Sequence, residues 1–340
     1  QVARTLIMFS KIVLALALVA GANAKLYTEH KESQRYMWNS FKADFNKVYE
    51  NAEEEAARFE TFVRNLAIID QRNAAETGTA THGITKFADL SAAEFKEHYT
   101  NYEPSKKNLR TKTAKVEPLA AGSSVSQDWT GVYTTPVKDQ GYCGSCWAFS
   151  ATEQMESDLW RTGGEEMILS AQQTTTCTYR NIIVGGCNGG NTGPAYTYLE
   201  SGIETDANYP YTSGTAGVTG TCQADSSKFV AKTTGYTTVS SSASGEASMA
   251  TYVSETGPLS VCVDAETWSS YTGGVMSVCG NSVDHCVQAV GINTAASTPY
   301  WKVRNSWGTS WGESGFIRLA YGANTCDITN DPTYVDVASA

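Results

Sequence analysis

Nine cysteines, every one of them after Tyr142, constrain this chain more than any other feature. An odd count leaves at least one thiol unpaired where the others are joined. Two of the nine stand three apart in Gln140-Gly141-Tyr142-Cys143-Gly144-Ser145-Cys146-Trp147-Ala148-Phe149-Ser150, where an apolar run of helical character begins. A thiol in the first turn of a helix feels the positive end of the dipole, which favours the thiolate. Cys146 has that place if the chain is helical from Trp147. Gly141 and Gly144 allow the tight backbone path that brings another chain up to the helix start. Three readings compete here. One is a structural disulfide, and another a redox Cys-x-x-Cys, which needs a surrounding βαβ pattern that is missing. The third is a nucleophile, which needs a histidine and an orienting amide elsewhere. Val283-Asp284-His285-Cys286-Val287 follows Cys146 by 139 residues, and Trp301-Lys302-Val303-Arg304-Asn305-Ser306-Trp307-Gly308 comes 20 further on.

These three motifs, in this order, resemble the papain family of cysteine proteases in its cathepsin L-like branch. The resemblance implies a cysteine endopeptidase that hydrolyses protein and peptide substrates through a thioester, with no cofactor and no metal. Cys146 is then the nucleophile and His285 its partner in a thiolate–imidazolium pair. Asn305 orients the ring, Trp307 covers that bond, and the Gln140 amide joins the Cys146 N–H in stabilising the oxyanion. Cys187-Asn188-Gly189-Gly190 matches the wall on which an extended substrate strand lies. Asn191, Thr192 and Asp331 fall by the pocket for the substrate side chain called P2, as do the positions of Cys262 and Cys286, and Asp284 is expected to bind substrate. With Asn191, Thr192 and Asp331 there, that pocket is expected to tolerate polar or basic side chains. The family pattern implies bridges Cys143–Cys187, Cys177–Cys222 and Cys279–Cys326. Cys262 and Cys286 are left over, and a fourth bridge between them, outside the usual pattern, is predicted.

The fold implied is α+β, with a helical left lobe carrying Cys146 and a barrel-like sheet lobe carrying His285 and Asn305. The residues agree: helical stripes and Gly-rich turns run from Cys146 to about Gly202, and Val/Thr/Tyr-rich alternation follows from Lys228. A catalytically silent binding protein on the same fold is the alternative. Loss of Cys146, His285 or Gln140 would signal it, and none is lost.

Ahead of this domain the chain changes character. Lys25 to Ala121 holds 15 Lys+Arg against 15 Asp+Glu, whereas Gly122 to Ala340 holds 8 against 20. An overall charge of −10 argues against nucleic acid and anionic membranes as partners. Residues 1–24 read as a signal peptide, with an n-region opened by Met8, an apolar run from Ile12 to Ala20 and a small-x-small site at Ala22-Asn23-Ala24. That places the chain in the secretory pathway, bound for a lysosome-like vacuole or the outside.

The pattern from Tyr36 to Asn73 is helical, with Glu54, Arg58, Phe62, Asn65, Ile69 and Asn73 on one stripe. These identities resemble the E-R-F-N-I-N pattern of cathepsin L-like propeptides. Gly83-Ile84-Thr85-Lys86-Phe87-Ala88-Asp89 resembles their G-x-N-x-F-x-D element, with Thr85 in place of Asn. Residues 25–121 are thus expected to be an inhibitory propeptide that runs through the cleft against the substrate direction. Residues from about Glu103 to Ser124 read as an exposed linker for activating cleavage. Residues 122–340 are the expected mature enzyme, a monomer open to cystatin-like inhibitors.

Overall fold

A computed structural model describes residues 27–28, 31–102, 112–179, 185–240 and 242–340. The predicted signal peptide and the linker residues 103–111 lie outside them. The helical pattern read from Tyr36 to Asn73 is two helices rather than one. Helix α1 (Lys31–Asp44) ends before Asn46, which sits at φ 51, and α2 (Ala52–Ala75) starts afresh. Asn51 caps α2, its side chain accepting from the N–H groups of Glu53 and Glu54 at 3.0 and 2.9 Å. Two Asn residues that tolerate turn and cap geometry thus override the apolar period across residues 45–51. Trp38 and Phe41 of α1 pack on Phe62, Leu66 and Ile69 of α2, forming a small core of their own.

The six stripe residues all lie on α2, and three of its polar members bind the chain that follows. Arg58 meets Glu94 at 2.7 Å, Asn65 donates to the carbonyls of Ala88 and Leu90, and Asn73 exchanges two hydrogen bonds with the His82 backbone. Strand β1 (Thr81–His82) and helix α3 (Ala92–Tyr99) are fixed in this way. A capping box between Ser91 and Glu94 starts α3. Thr85, standing where Asn was expected, donates to the Ser269 carbonyl.

Strand β2 (Lys112–Thr113) follows the undescribed linker, and β3 (Ser126–Asp128) opens the larger domain. Its helices are α4 (Cys146–Arg161), α5 (Ala171–Cys177), α6 (Thr192–Leu199), α7 (Ser213–Ala216) and α8 (Glu246–Glu255). Its strands continue as β4 (Ala231–Thr238), β5 (Leu259–Val263), β6 (Tyr271–Gly273), β7 (Val275–Met276), β8 (His285–Asn293), β9 (Tyr300–Arg304), β10 (Phe316–Ala320) and β11 (Asn330–Ser339). Eight strands follow one another as β2-β4-β11-β5-β8-β9-β10-β7, with β3 on β8, while β1 and β6 form a separate antiparallel ribbon.

Helix α4 lies between the lobes, packed on β8 and β11 on one side and on α5 and α6 on the other. It is buried from Cys146 to Asp158, so its polar side chains must find partners there. Glu156 pairs with Lys138 and Thr135, Asp158 with Arg161, and Glu153 faces Arg304 at 3.5 Å. One apolar core holds Trp147, Met155, Leu169, Tyr196 and Leu199 of the helical lobe. The other holds the sheet residues and also Phe87, Leu90, Phe95 and Tyr99, so the leader segment completes the larger domain's core.

Four disulfides join Cys143–Cys187, Cys177–Cys222, Cys262–Cys286 and Cys279–Cys326. Cys262 and Cys286 are cross-strand neighbours on β5 and β8. Cys146 is the free cysteine among the described residues. With Cys143 tied to Cys187, the redox reading of Cys143 and Cys146 has no dithiol to work with.

Candidate active site

Cys146 opens α4. Ser145 stands at the cap but makes no capping hydrogen bond; its hydroxyl pairs with Tyr211 at 2.7 Å. The Ala148 N–H donates back to the Ser145 carbonyl at 2.8 Å, and no Ser145 side chain covers the N–H groups ahead of it. The backbone N–H groups of Cys286, Trp147 and Asn101 point at the Cys146 sulfur. The sulfur thus lies against the first residues of β8, the strand that begins with His285.

Asn305 follows β9 and meets His285 from the other side, its Oδ1 lying 2.8 Å from His285 Nε2. The same oxygen accepts the Ser306 N–H at 2.8 Å. That second bond fixes which end of the amide faces the ring. A carbonyl oxygen only accepts, so Nε2 carries the proton and Nδ1 of the neutral ring is a base. Nδ1 is buried without a hydrogen-bond partner. Trp307 lies over the ring at 4.8 Å between centroids and seals the bond from water.

Gln140 is held by Ser306, whose hydroxyl donates to Oε1 at 2.7 Å. Its Nε2 donates to the Cys143 carbonyl at 2.9 Å and lies 3.4 and 3.5 Å from the carbonyl oxygens of Tyr99 and His98. Ser306 is a support that the sequence motif contained but that reading it by type left unassigned.

The leader segment fills this place. Tyr102 donates its N–H to the Asp284 carbonyl at 2.8 Å and bridges Gly190 in parallel. A Cβ on Gly189, at φ 100, would stand 2.3 Å from the Asn101 carbonyl oxygen, so glycine is what lets an extended chain lie here. A Cβ on Gly190 would meet the Trp147 ring at 2.5 Å. Asp284 thus meets the bound chain through its backbone. Its carboxylate accepts the Ala265 N–H at 2.8 Å, and burial pushes its pKa up to about 7.

Tyr102 shares a buried cluster with Cys146, Cys262 and Cys286, against which Val283 packs, and Asn191 Nδ2 donates to its hydroxyl at 3.2 Å. Thr192 donates to Asp331 at 3.2 Å beside it. Asn191, Cys262 and Cys286, expected by the P2 pocket, therefore meet Tyr102, and Asp284 meets the bound chain through its carbonyl. Tyr102 itself was missed, because the polar composition from Glu103 onward drew the linker boundary next to it.

With the cleft plugged, water is excluded and both reacting groups are held neutral. Burial pushes the Cys146 thiol up to about 12 and the His285 ring down to about 4. Burial under the propeptide thus disfavours the expected thiolate–imidazolium pair. Phe87, Phe95 and Tyr99 close the lid from above, with ring centroids 5.2, 5.2 and 6.3 Å from Trp307.

Residues 123–336 match the papain family cysteine protease family, and residues 38–95 match the cathepsin propeptide inhibitor domain. The chain is 36% identical to cysteine proteinase A of Leishmania mexicana, over 99% of this chain and 96% of that one. Two digestive procathepsin L structures from Tenebrio molitor larval midgut superimpose with TM-scores of 0.76 and 0.79 at 31% and 30% identity. Each covers 89% of this chain and 99% of its own. The chain belongs to the papain family of cysteine proteases and is the zymogen form, with its inhibitory propeptide still in the cleft.

Proposed function

We propose that the mature protein is an endopeptidase in which Cys146 and His285 perform the chemistry and Asn305 and Gln140 position it. The observation that carries this is the His285–Asn305 bond, which leaves Nδ1 as a base in a cleft that also holds the Cys146 sulfur. In the opened cleft the thiol proton passes to Nδ1, giving the thiolate–imidazolium pair, and the thiolate then attacks the substrate carbonyl. The negative oxygen that forms accepts from the Cys146 N–H and Gln140 Nε2. His285 then protonates the leaving amine, and water cleaves the thioester with His285 as base. The Tyr99 and His98 carbonyls near Gln140 Nε2 mimic the oxygen this donor serves.

The test is turnover of a dipeptidyl fluorogenic amide after acid incubation, with and without an epoxide thiol trap. Gln140→Ala is expected to lower kcat by about 10²–10³-fold with KM little changed. Unchanged kcat in that variant would contradict its place in the oxyanion site.

Cleavage to the mature enzyme is assigned to the exposed segment ending near Gly122 to Ser124, and the signal peptide to residues 1–24. The four disulfides fit the secretory pathway. An acidic vacuole or the extracellular space is the proposed destination, with the mature domain acting as a monomer open to cystatin-like inhibitors.

Acid is expected to release the propeptide, partly through His82. His82 Nδ1 lies 3.0 Å from Ser270 Oγ of the mature domain. Burial, then the Arg72 charge, lowers its pKa to about 4, against a smaller opposing effect of Glu76. A histidine depressed in the closed state favours closure above its free pKa of about 6.5, and that contribution fades as pH falls towards 4. His285, also lowered, acts in the same sense, and the raised Asp284 in the opposite one. In His82→Gln the rate of propeptide release should rise less steeply between pH 6.5 and 4 than in wild type. Identical pH profiles would remove His82 from the switch.

A further inference from the structure

Behind the oxyanion site stands a phenol that the chemistry above does not use. Tyr211, in the segment leading into α7, packs its ring on Phe149 of α4 in a T-shaped contact, 4.8 Å between centroids. Its hydroxyl lies 3.0 Å from the Gln140 carbonyl oxygen and 2.7 Å from Ser145 Oγ. A carbonyl only accepts, so the phenol donates to Gln140 and its oxygen accepts from the Ser145 hydroxyl. One hydrogen-bond chain, Ser145 to Tyr211 to Gln140, thus joins the residue before the nucleophile to the residue that carries the oxyanion amide.

The other groups around Gln140 are held by different partners. Its N–H donates to the Ser306 carbonyl at 2.8 Å, and its Oε1 accepts from the Ser306 hydroxyl. The next N–H, that of Gly141, donates to Asp139 Oδ1 at 2.9 Å. The peptide between Gln140 and Gly141 is therefore pinned at its nitrogen by Asp139 and at its oxygen by Tyr211. The two segments lie flush, with the Tyr142 N–H donating to the Gly214 carbonyl at 2.8 Å. A Cβ on Gly214 would stand 2.4 Å from the Gln140 carbonyl oxygen, and one on Gly141 2.6 Å from that of Gly214. Ser306 sets which way the amide faces, and Tyr211 sets where the backbone that carries it stands. Without the hydroxyl the Gln140 carbonyl loses that donor and the peptide can tilt.

Building on the reading of Gln140 as an oxyanion donor, we propose that Tyr211 is a positioning residue for the reaction, its hydroxyl holding Gln140 and Ser145 in register so that Gln140 Nε2 and the Cys146 N–H converge on one oxygen. It acts through these two residues. Donors work only where the developing charge will stand, and a displacement of about 1 Å can cost about 10²-fold in rate.

The experiment measures kcat and KM on one dipeptidyl fluorogenic amide for activated wild type, Tyr211→Phe, Gln140→Ala and the double variant, with active sites counted by an epoxide trap. Each is also alkylated with iodoacetamide, in which the thiolate displaces iodide without forming an oxyanion. Tyr211→Phe keeps the ring on Phe149 and loses only the hydroxyl. It is expected to lower kcat by about tenfold, with KM and the alkylation rate within about twofold of wild type. In the Gln140→Ala background the same change should cost less than about threefold, because the amide it positions is gone. Ser145→Ala leaves Tyr211 whole and removes the hydroxyl it accepts from; kcat should fall by about threefold with alkylation unchanged. Unchanged kcat in either single variant, Tyr211→Phe or Ser145→Ala, would overturn the proposal. So would an alkylation rate that falls along with kcat, which marks a disturbed nucleophile, or a tenfold loss that persists in the Gln140→Ala background. Unchanged kcat in Gln140→Ala would instead overturn the oxyanion reading on which the proposal rests.

Discussion

Cys146→Ala is expected to lower kcat/KM on a peptide amide by about 10⁴-fold or more, because every step after binding runs through its sulfur. The zymogen should still fold. The variant removes one sulfur atom from a contact with Tyr102 and the Cys262–Cys286 bridge, and touches no disulfide. Cys143 cannot substitute, since it is bonded to Cys187. The check is a melting curve on the purified zymogen, followed by turnover after propeptide removal by an added protease. Retained activity would mean that another group attacks the substrate.

Phe87→Ala should weaken propeptide inhibition. Phe87 is buried among Phe95, Tyr99 and Trp307, at 5.2, 4.6 and 5.2 Å between centroids. Removing such a ring typically costs about 3–5 kcal/mol, part of it the cavity left behind. Phe95 and Tyr99 belong to the propeptide and Trp307 to the enzyme. Part of the loss therefore falls on the propeptide's own packing, and the rest should appear as at least about tenfold weaker inhibition by the added propeptide. Inhibition constants for wild-type and Phe87→Ala propeptides on one batch of mature enzyme provide the test. An unchanged constant would show that the aromatic lid contributes little to closure.

The site was legible where chemistry demands particular atoms at fixed places in the chain. Cys146, His285 and Asn305 could be read because three separated motifs stand in the order of the papain family, where the cysteines alone left a structural disulfide and a redox pair open. The Cys262–Cys286 bridge could be read because the family pattern left two strand cysteines over. Other features depend on contacts between distant segments, which periodicity does not encode. The break between α1 and α2 is one: it rests on Asn46 and Asn51, whose turn and cap roles a helical period hides. Tyr102 is another, since a single aromatic before a polar run carries no local sign that it will enter a pocket. The neutral state of the Cys146–His285 pair in the zymogen was equally hidden, because it comes from the burial that the propeptide imposes.

The central claim is that Cys146 becomes the reactive thiol only once the propeptide leaves. The direct measurement is an epoxide thiol trap applied to intact zymogen and to activated enzyme, with the modified residue mapped by peptide mass. The expected result is one adduct, on Cys146, forming rapidly after activation and at least about tenfold more slowly before it. Rapid labelling of Cys146 in the intact zymogen, or an adduct on any other residue of the activated enzyme, would contradict the account.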